Sequence, residues 1–188
     1  MSLLDAMGTA VTPARIAPIL HADAPGWTAR ADVIVIGSGV AGLTTARYAR
    51  AAGRTVLLVT KAQVSEGSTR WAQGGIAAAL ADDDSPEEHL RDTLEAGVGL
   101  CDEHAVRILV TEGPMAVRAL IGLGAHFDTD DSGRIALTRE GGHHRSRIAH
   151  AGGDATGAEI SRALVTAVRA DPGIELLENA LALDLLRD

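Results

Sequence analysis

Asp32-Val-Ile-Val-Ile-Gly-Ser-Gly-Val-Ala-Gly42 is the stretch whose reading decides the fold. Five residues, mostly β-branched, run directly into Gly37-x-Gly39-x-x-Gly42, and a helical pattern follows to about Ala52. Val33–Ile36 is apolar without alternation, the pattern of a parallel strand buried on both faces. The first glycine makes a tight turn. The second removes a side chain where a pyrophosphate approaches the backbone, and the third lets helix and strand pack closely. The phosphates then face the positive end of the helix. Standing alone, such a glycine pattern is weak. Here it follows a strand, opens a helix that Gly53 stops, and is trailed by a second strand at Thr55–Thr60. Together these predict a dinucleotide site on a Rossmann-like α/β unit with a parallel central sheet.

Working outward, residues 1–30 carry Pro13, Pro18, Pro25 and Gly26 with no sustained period, and read as a leader ahead of a domain over 31–188. On the other side, the place where an acidic residue would take the ribose hydroxyls of NAD is occupied by Thr60-Lys61. Either Lys61 serves the adenosine side of a different dinucleotide or it is an exposed cation; spacing alone leaves both open. Next comes Ser65-Glu-Gly-Ser-Thr-Arg-Trp-Ala-Gln-Gly-Gly-Ile-Ala-Ala-Ala-Leu80. Its small, hydroxylated and glycine residues suit a backbone lying against a flat ligand, or simply a flexible loop.

Composition narrows the classes. Hydrophobic residues make up 46% of the 188 and aromatics only 2%, so the core is built from Ala, Val, Leu and Ile. The net charge of −8 argues against general nucleic-acid binding, which needs a basic face. A single cysteine, Cys101, excludes an intrachain disulfide and a Cys-based metal cluster. No run approaches the roughly 18 apolar residues of a membrane span. Asp5 stands where a signal peptide carries positive charge, so the expected location is cytoplasmic.

Further along, Ser85-Pro86-Glu87-Glu88 is a helix start, with Ser at the N-cap and Pro at N1, running to about Ala96. Asp102–Leu123 reads as helical, interrupted at Gly113-Pro114 and ended by Gly124. Ala125–Phe127 and Arg134–Thr138, joined by Asp128–Gly133, predict a small antiparallel excursion. Asp154–Ala170 is helical, and Ile174–Leu177 and Leu181–Leu186 are strand-like. His143, His144 and His150 have no acidic or thiol partner at usable ligand spacing, so no metal site is expected. No serine sits in a nucleophile elbow.

Three ordered motifs carry a resemblance. Gly37-Ser-Gly-Val-Ala-Gly42, then Glu66-Gly-Ser-Thr-x-x-Ala-Gln-Gly-Gly75, then Thr138-Arg-Glu-Gly-Gly-His-His144 with His150-Ala-Gly-Gly-Asp-Ala-Thr-Gly157, resemble the L-aspartate oxidases. These belong to the succinate dehydrogenase/fumarate reductase flavoprotein superfamily, and the likeness spans roughly Asp32 to Asp188. It implies FAD contacts from Gly37, Ser38, Gly39, Val40, Ala41 and Gly42, and from Lys61. It implies further contacts from Ser68, Thr69, Arg70, Trp71, Ala72, Gln73, Gly74 and Gly75. Membrane relatives carry a histidine joined covalently to FAD before Ala-Gln-Gly-Gly; Ser68 stands in that place, so noncovalent FAD is implied. Those relatives also carry Phe where this chain has Glu140. The resemblance places that glutamate beside the substrate amino group.

The implied reaction is oxidation of L-aspartate to iminoaspartate, with hydride passing to flavin N5 and oxygen or fumarate as the acceptor. The product feeds quinolinate and NAD synthesis, with a hand-off to quinolinate synthase. Family members are much longer. Their capping domain, the rest of the FAD domain, a helical domain and the substrate-clamping Arg and His residues are expected beyond Asp188, so the FAD domain would be incomplete at its C-terminal side and the fragment inactive alone. Two other readings stand beside this one: a noncatalytic flavin- or nucleotide-binding module, and a fumarate reductase-like dicarboxylate oxidoreductase.

Overall fold

The computed structural model describes residues 26–186, and the leader expected at 1–30 lies outside the described residues as far as position 25. In chain order the elements are β1 (Val33–Ile36), α1 (Val40–Ala51), β2 (Val56–Val59), β3 (Ile76–Ala77), α2 (Pro86–Ala96), α3 (Glu103–Gly122), β4 (Leu137–Thr138), β5 (Ile148–Ala149), α4 (Thr156–Arg169) and β6 (Ile174–Leu177). Two 3₁₀ turns, Val64–Glu66 and Ser68–Trp71, lie between β2 and β3. The expected α/β architecture is present: a parallel sheet ordered β1-β2-β6 and a small antiparallel sheet ordered β3-β5-β4.

Register explains the core. Val33, Val56 and Ile174 stand side by side, as do Val35, Leu58 and Leu176, and this face meets Leu43 and Ala46 of α1 with Ala163, Leu164 and Val168 of α4. β1 departs from the expected two-sided burial. Val35 is buried, but Ile34 and Ile36 are 57% and 53% exposed, because α1 and α4 cover one face of the sheet only. Gly53 stops α1 as expected, at φ +77° and with its N–H on the Arg50 carbonyl.

The helix α2 begins as its sequence dictates, with Ser85 Oγ accepting the Glu88 N–H at 3.2 Å. The interruption expected at Gly113-Pro114 does not occur; α3 runs through Pro114. A proline inside a helix forfeits one hydrogen bond at a cost of about 3 kcal/mol. Here its ring is buried on the same face as Val110 and Val117, which offsets that loss. The antiparallel excursion also pairs differently from expectation. Ala125–Phe127 forms no strand, and β4 instead pairs with β5, Leu137 against Ala149 and Thr138 against Ile148. The turn at Asp128–Gly133 does form, with Asp130 Oδ1 accepting the Ser132 N–H at 2.8 Å. Leu181–Leu186 is likewise not a strand. No helix among the described residues is long and apolar enough to cross a membrane.

Candidate functional site

The site grows from the end of β1. Gly37 closes the turn at φ +104°, a region L side chains avoid, while its N–H donates to the Val59 carbonyl at 2.8 Å. The helix α1 then starts at Val40, with Gly39 as an N-cap that has no capping side chain and no acidic residue in the first turn. Its leading amides have no intrahelical partner, so this helix end favours an anion. The Val40 N–H donates to Thr69 Oγ1 at 2.8 Å, which brings the Ser68–Trp71 turn onto the helix start. Gly67 makes that approach possible: a Cβ there would stand 2.5 Å from the Ser38 carbonyl oxygen. Below, the buried hydroxyls of Ser38 and Thr60 meet at 3.1 Å. Lys61 is exposed just past the end of β2.

Three stretches, Gly37–Gly42, Thr60-Lys61 and Ser68–Trp71, therefore converge at the carboxyl ends of the parallel strands, where α/β sheets bind ligands. The donor set fits the diphosphate of a dinucleotide. A Cβ at Gly39 would meet only Thr69 Oγ1, at 3.6 Å, so the backbone there is open to a ligand. Trp71 lies exposed beneath the Arg70 guanidinium, 4.8 Å from the ring centroid.

The glycine loop divides in two. Ala72 is fixed by α4, whose Gly157 N–H donates to the Ala72 carbonyl at 3.2 Å. Gly157 has no room for a side chain, since a Cβ would sit 2.7 Å from that same oxygen. Gly74 takes φ +78°. Gly75 is exposed but has no room for a side chain, its Cβ position being 2.7 Å from the Ala149 carbonyl and 3.0 Å from His150 Cε1. Packing against β5 therefore requires a glycine here. Gln73 is exposed beside it.

Glu140 lies on the turn between β4 and β5, which closes by the His143 N–H on the Glu140 carbonyl and by Gly142 at φ +82°. Its carboxylate is exposed and 4.0 Å from His150 Nε2, which also meets Thr138 Oγ1 at 2.8 Å. His150 thus joins the Glu140 turn to Gly75. Sequence reasoning weighed this histidine only as a metal ligand; its membership of the His150–Gly157 motif was the available signal. The three histidines have separate partners: Thr138 and Glu140 for His150, Asp92 for His144, and Arg147 with His89 for His143.

Behind the turn lies a charge cluster the sequence did not reveal. Arg147 is wholly buried, and its Nε and Nη2 grip both oxygens of buried Asp84 at 2.6 and 2.8 Å. Its Nη1 donates to Asp92, which also accepts the His144 backbone N–H at 2.9 Å and pairs with His144 Nδ1 at 2.7 Å. Burial pushes the Asp92 carboxyl upward, but hydrogen bonds from Arg147 and His144 outweigh it and hold the group far below the usual carboxylate range. Burial likewise disfavours charge on Arg147, yet Asp84 and Asp92 keep it ionised. His89 is buried beside the cluster, and among the described residues its Nδ1 has no hydrogen-bond partner. Burial first, and then the Arg147 charge, lower its proton affinity.

Comparison with known proteins agrees with this geometry. A family model described as an FAD binding domain matches residues 32–188. The L-aspartate oxidase of Streptomyces coelicolor is 69% identical over 169 residues, covering 90% of this chain and 29% of that protein. Its Mycobacterium tuberculosis counterpart is 57% identical over 142 residues, covering 74% and 27%. A solved quinol–fumarate reductase with menaquinol superposes with a TM-score of 0.79 at 30% identity, over 84% of this chain and 28% of its own. The chain spans less than a third of the length of these proteins. The match over residues 32–188 decides the matter: the chain belongs to the FAD-binding domain family, within the succinate dehydrogenase/fumarate reductase flavoproteins, and its cofactor is FAD.

Proposed function

We propose that the protein carrying this sequence oxidises L-aspartate to iminoaspartate and binds FAD noncovalently. One juxtaposition carries the reading: the Glu140 carboxylate stands beside His150, whose ring packs on Gly75 at the end of the loop whose Thr69 meets the helix α1 start. The 69% identity to an L-aspartate oxidase supports it. The diphosphate lies on Gly37, Ser38, Gly39 and the amides of Val40, Ala41 and Gly42. Lys61 serves the adenosine side, and Ser68–Gly75 borders the flavin. FAD, when bound, supplies a two-electron oxidant for the substrate α-carbon. Glu140 holds the substrate ammonium and so turns that carbon towards the oxidant. Because Ser68 offers no imidazole, no side chain there links to the ring. Oxygen or fumarate reoxidises the cofactor, and the imine passes to quinolinate synthase for NAD synthesis in the cytoplasm. Residues 31–188 form the first part of the FAD domain, behind a leader over 1–30.

The likeness to a quinol–fumarate reductase favours one competing reading, a dicarboxylate oxidoreductase that ignores the amine. Glu140→Gln in the full-length protein separates the two. Loss of a charge-assisted hydrogen bond costs about 1.5–3 kcal/mol, or roughly ten- to a hundredfold in kcat/KM for L-aspartate. Fumarate has both carboxylates but no ammonium, so its reduction should fall far less. Equal losses on both substrates would refute the amine role.

A further inference from the structure

The Glu140 turn is tied to the helix α2 by more charge than a surface turn requires. Between positions 83 and 92, Asp83, Asp84, Glu88 and Asp92 face Arg145, Arg147 and His144 from the turn's far end. Arg145 is shared between Glu88 at 3.1 Å and Asp83 at 3.3 Å. Gly142 also abuts the last residue of α2, its Cβ position being 3.2 Å from Ala96 Cβ.

Stability alone is a poor reason for such an arrangement. A buried ion pair repays its desolvation at best, and an apolar replacement of similar volume is often as stable. A buried pair does impose one geometry, however, where guanidinium and carboxylate meet in a two-bond fork, as Arg147 and Asp84 do. The Arg147 fork holds the residue before β5 on Asp84, just ahead of α2, while its Nη1 reaches Asp92 within α2 and its N–H donates to the Thr138 carbonyl, closing the base of the turn. Asp92 then reaches past Arg147 to the backbone and ring of His144, inside the turn region itself. Among the described residues the Glu140 carboxylate pairs only with His150, at 4.0 Å, so its location follows that of the turn.

We propose that Asp92 is a positioning residue for the substrate, which acts by holding the Glu140 turn on α2 through His144 and Arg147. The inference rests on the role proposed above for Glu140. It extends the site to the helix α2. A carboxylate displaced with its turn no longer meets the substrate ammonium at hydrogen-bond distance.

The test uses the full-length, FAD-loaded protein. Asp92→Asn is expected to raise KM for L-aspartate about tenfold with kcat changed less than about threefold, the signature of lost binding common to ground and transition states. The His144 side chain is 73% exposed, so His144→Ala preserves the fold should Asp92→Asn fail to. It is expected to raise KM about threefold, and His144→Asn, whose amide N–H replaces Nδ1–H, to restore it. FAD affinity stays unchanged in all three. In Asp92→Asn and His144→Ala, hydrogen exchange quickens over residues 139–147 and not over 33–60. Unchanged exchange and KM would overturn the proposal, and so would faster exchange with unchanged KM. A wild-type protein inactive on L-aspartate would overturn the functional reading, while exchange would still decide whether α2 holds the turn.

Discussion

Replacing Gly39 and Gly42 separately by alanine should divide the glycine motif into its two duties. Both changes remove the same unfolded-state freedom, so comparing them cancels that contribution. At Gly42 a Cβ would overlap the Gly37 carbonyl oxygen, with Gly37 C at 3.0 Å and Val35 Cγ1 at 3.4 Å. The obstacle is backbone in a tight turn and cannot rotate away, so α1 must lift from β1. Overpacking of this kind costs about 1–3 kcal/mol, against a helix-propensity gain of at most about 1 kcal/mol. Urea unfolding of Gly42→Ala should therefore show a net loss of roughly 1–2 kcal/mol, a midpoint lower by about 1 M. Gly39 has φ −73° and an open Cβ position, so Gly39→Ala should cost only about half a kcal/mol as a poorer N-cap. Its methyl group stands in the way of the diphosphate. Losing one charged hydrogen bond, about 1.5–3 kcal/mol, should weaken FAD binding ten- to a hundredfold in a flavin-fluorescence titration. Unchanged FAD affinity in Gly39→Ala, or equal destabilisation by the two variants, would refute the assignment.

Acid precipitation of the FAD-loaded full-length protein should leave yellow flavin in the supernatant, as Ser68 offers nothing to bond it; colour in the pellet would contradict noncovalent binding. Stability should fall as pH drops. The carboxyl of Asp92 is depressed in the folded state, so its contribution is present above the ordinary value near 4 and lost below it. His89, also depressed, resists protonation when folded, so its contribution is present above about pH 6.5 and fades as pH falls from there. Melting temperatures measured from pH 7 to 2 should decline throughout, with the upper part of the decline removed in His89→Leu. A flat profile would show that neither group is linked to folding.

How much of this was legible in the sequence depended on the range of the interaction. The turn from β1 to α1 was readable because its causes are local: a strand, a positive φ at Gly37, and a helix opening at once. The α2 start was readable for the same reason, its cap bond spanning three residues. By contrast, β5 is two residues long and carries no periodicity, so nothing in the sequence signals its pairing with β3 and β4, and the local pattern points to Ala125–Phe127 instead. Pro114 misled because its burial between Val110 and Val117, a tertiary effect, decides whether the helix survives.

The site divides along the same line. Glycines and Glu140 announced themselves through motifs, whereas Arg147 meets Asp84 and Asp92 across 63 and 55 residues. An arginine in a chain with many acidic residues looks like any solvated cation until the fold buries it. That asymmetry has a physical source. Groups that touch a ligand are concentrated on loops and element ends, which constrain neighbouring residue types and leave a motif. Groups that hold those loops in place need only complementary charge and depth. Here the sequence therefore shows where the turn is, and only the packed structure shows why Glu140 stays beside His150.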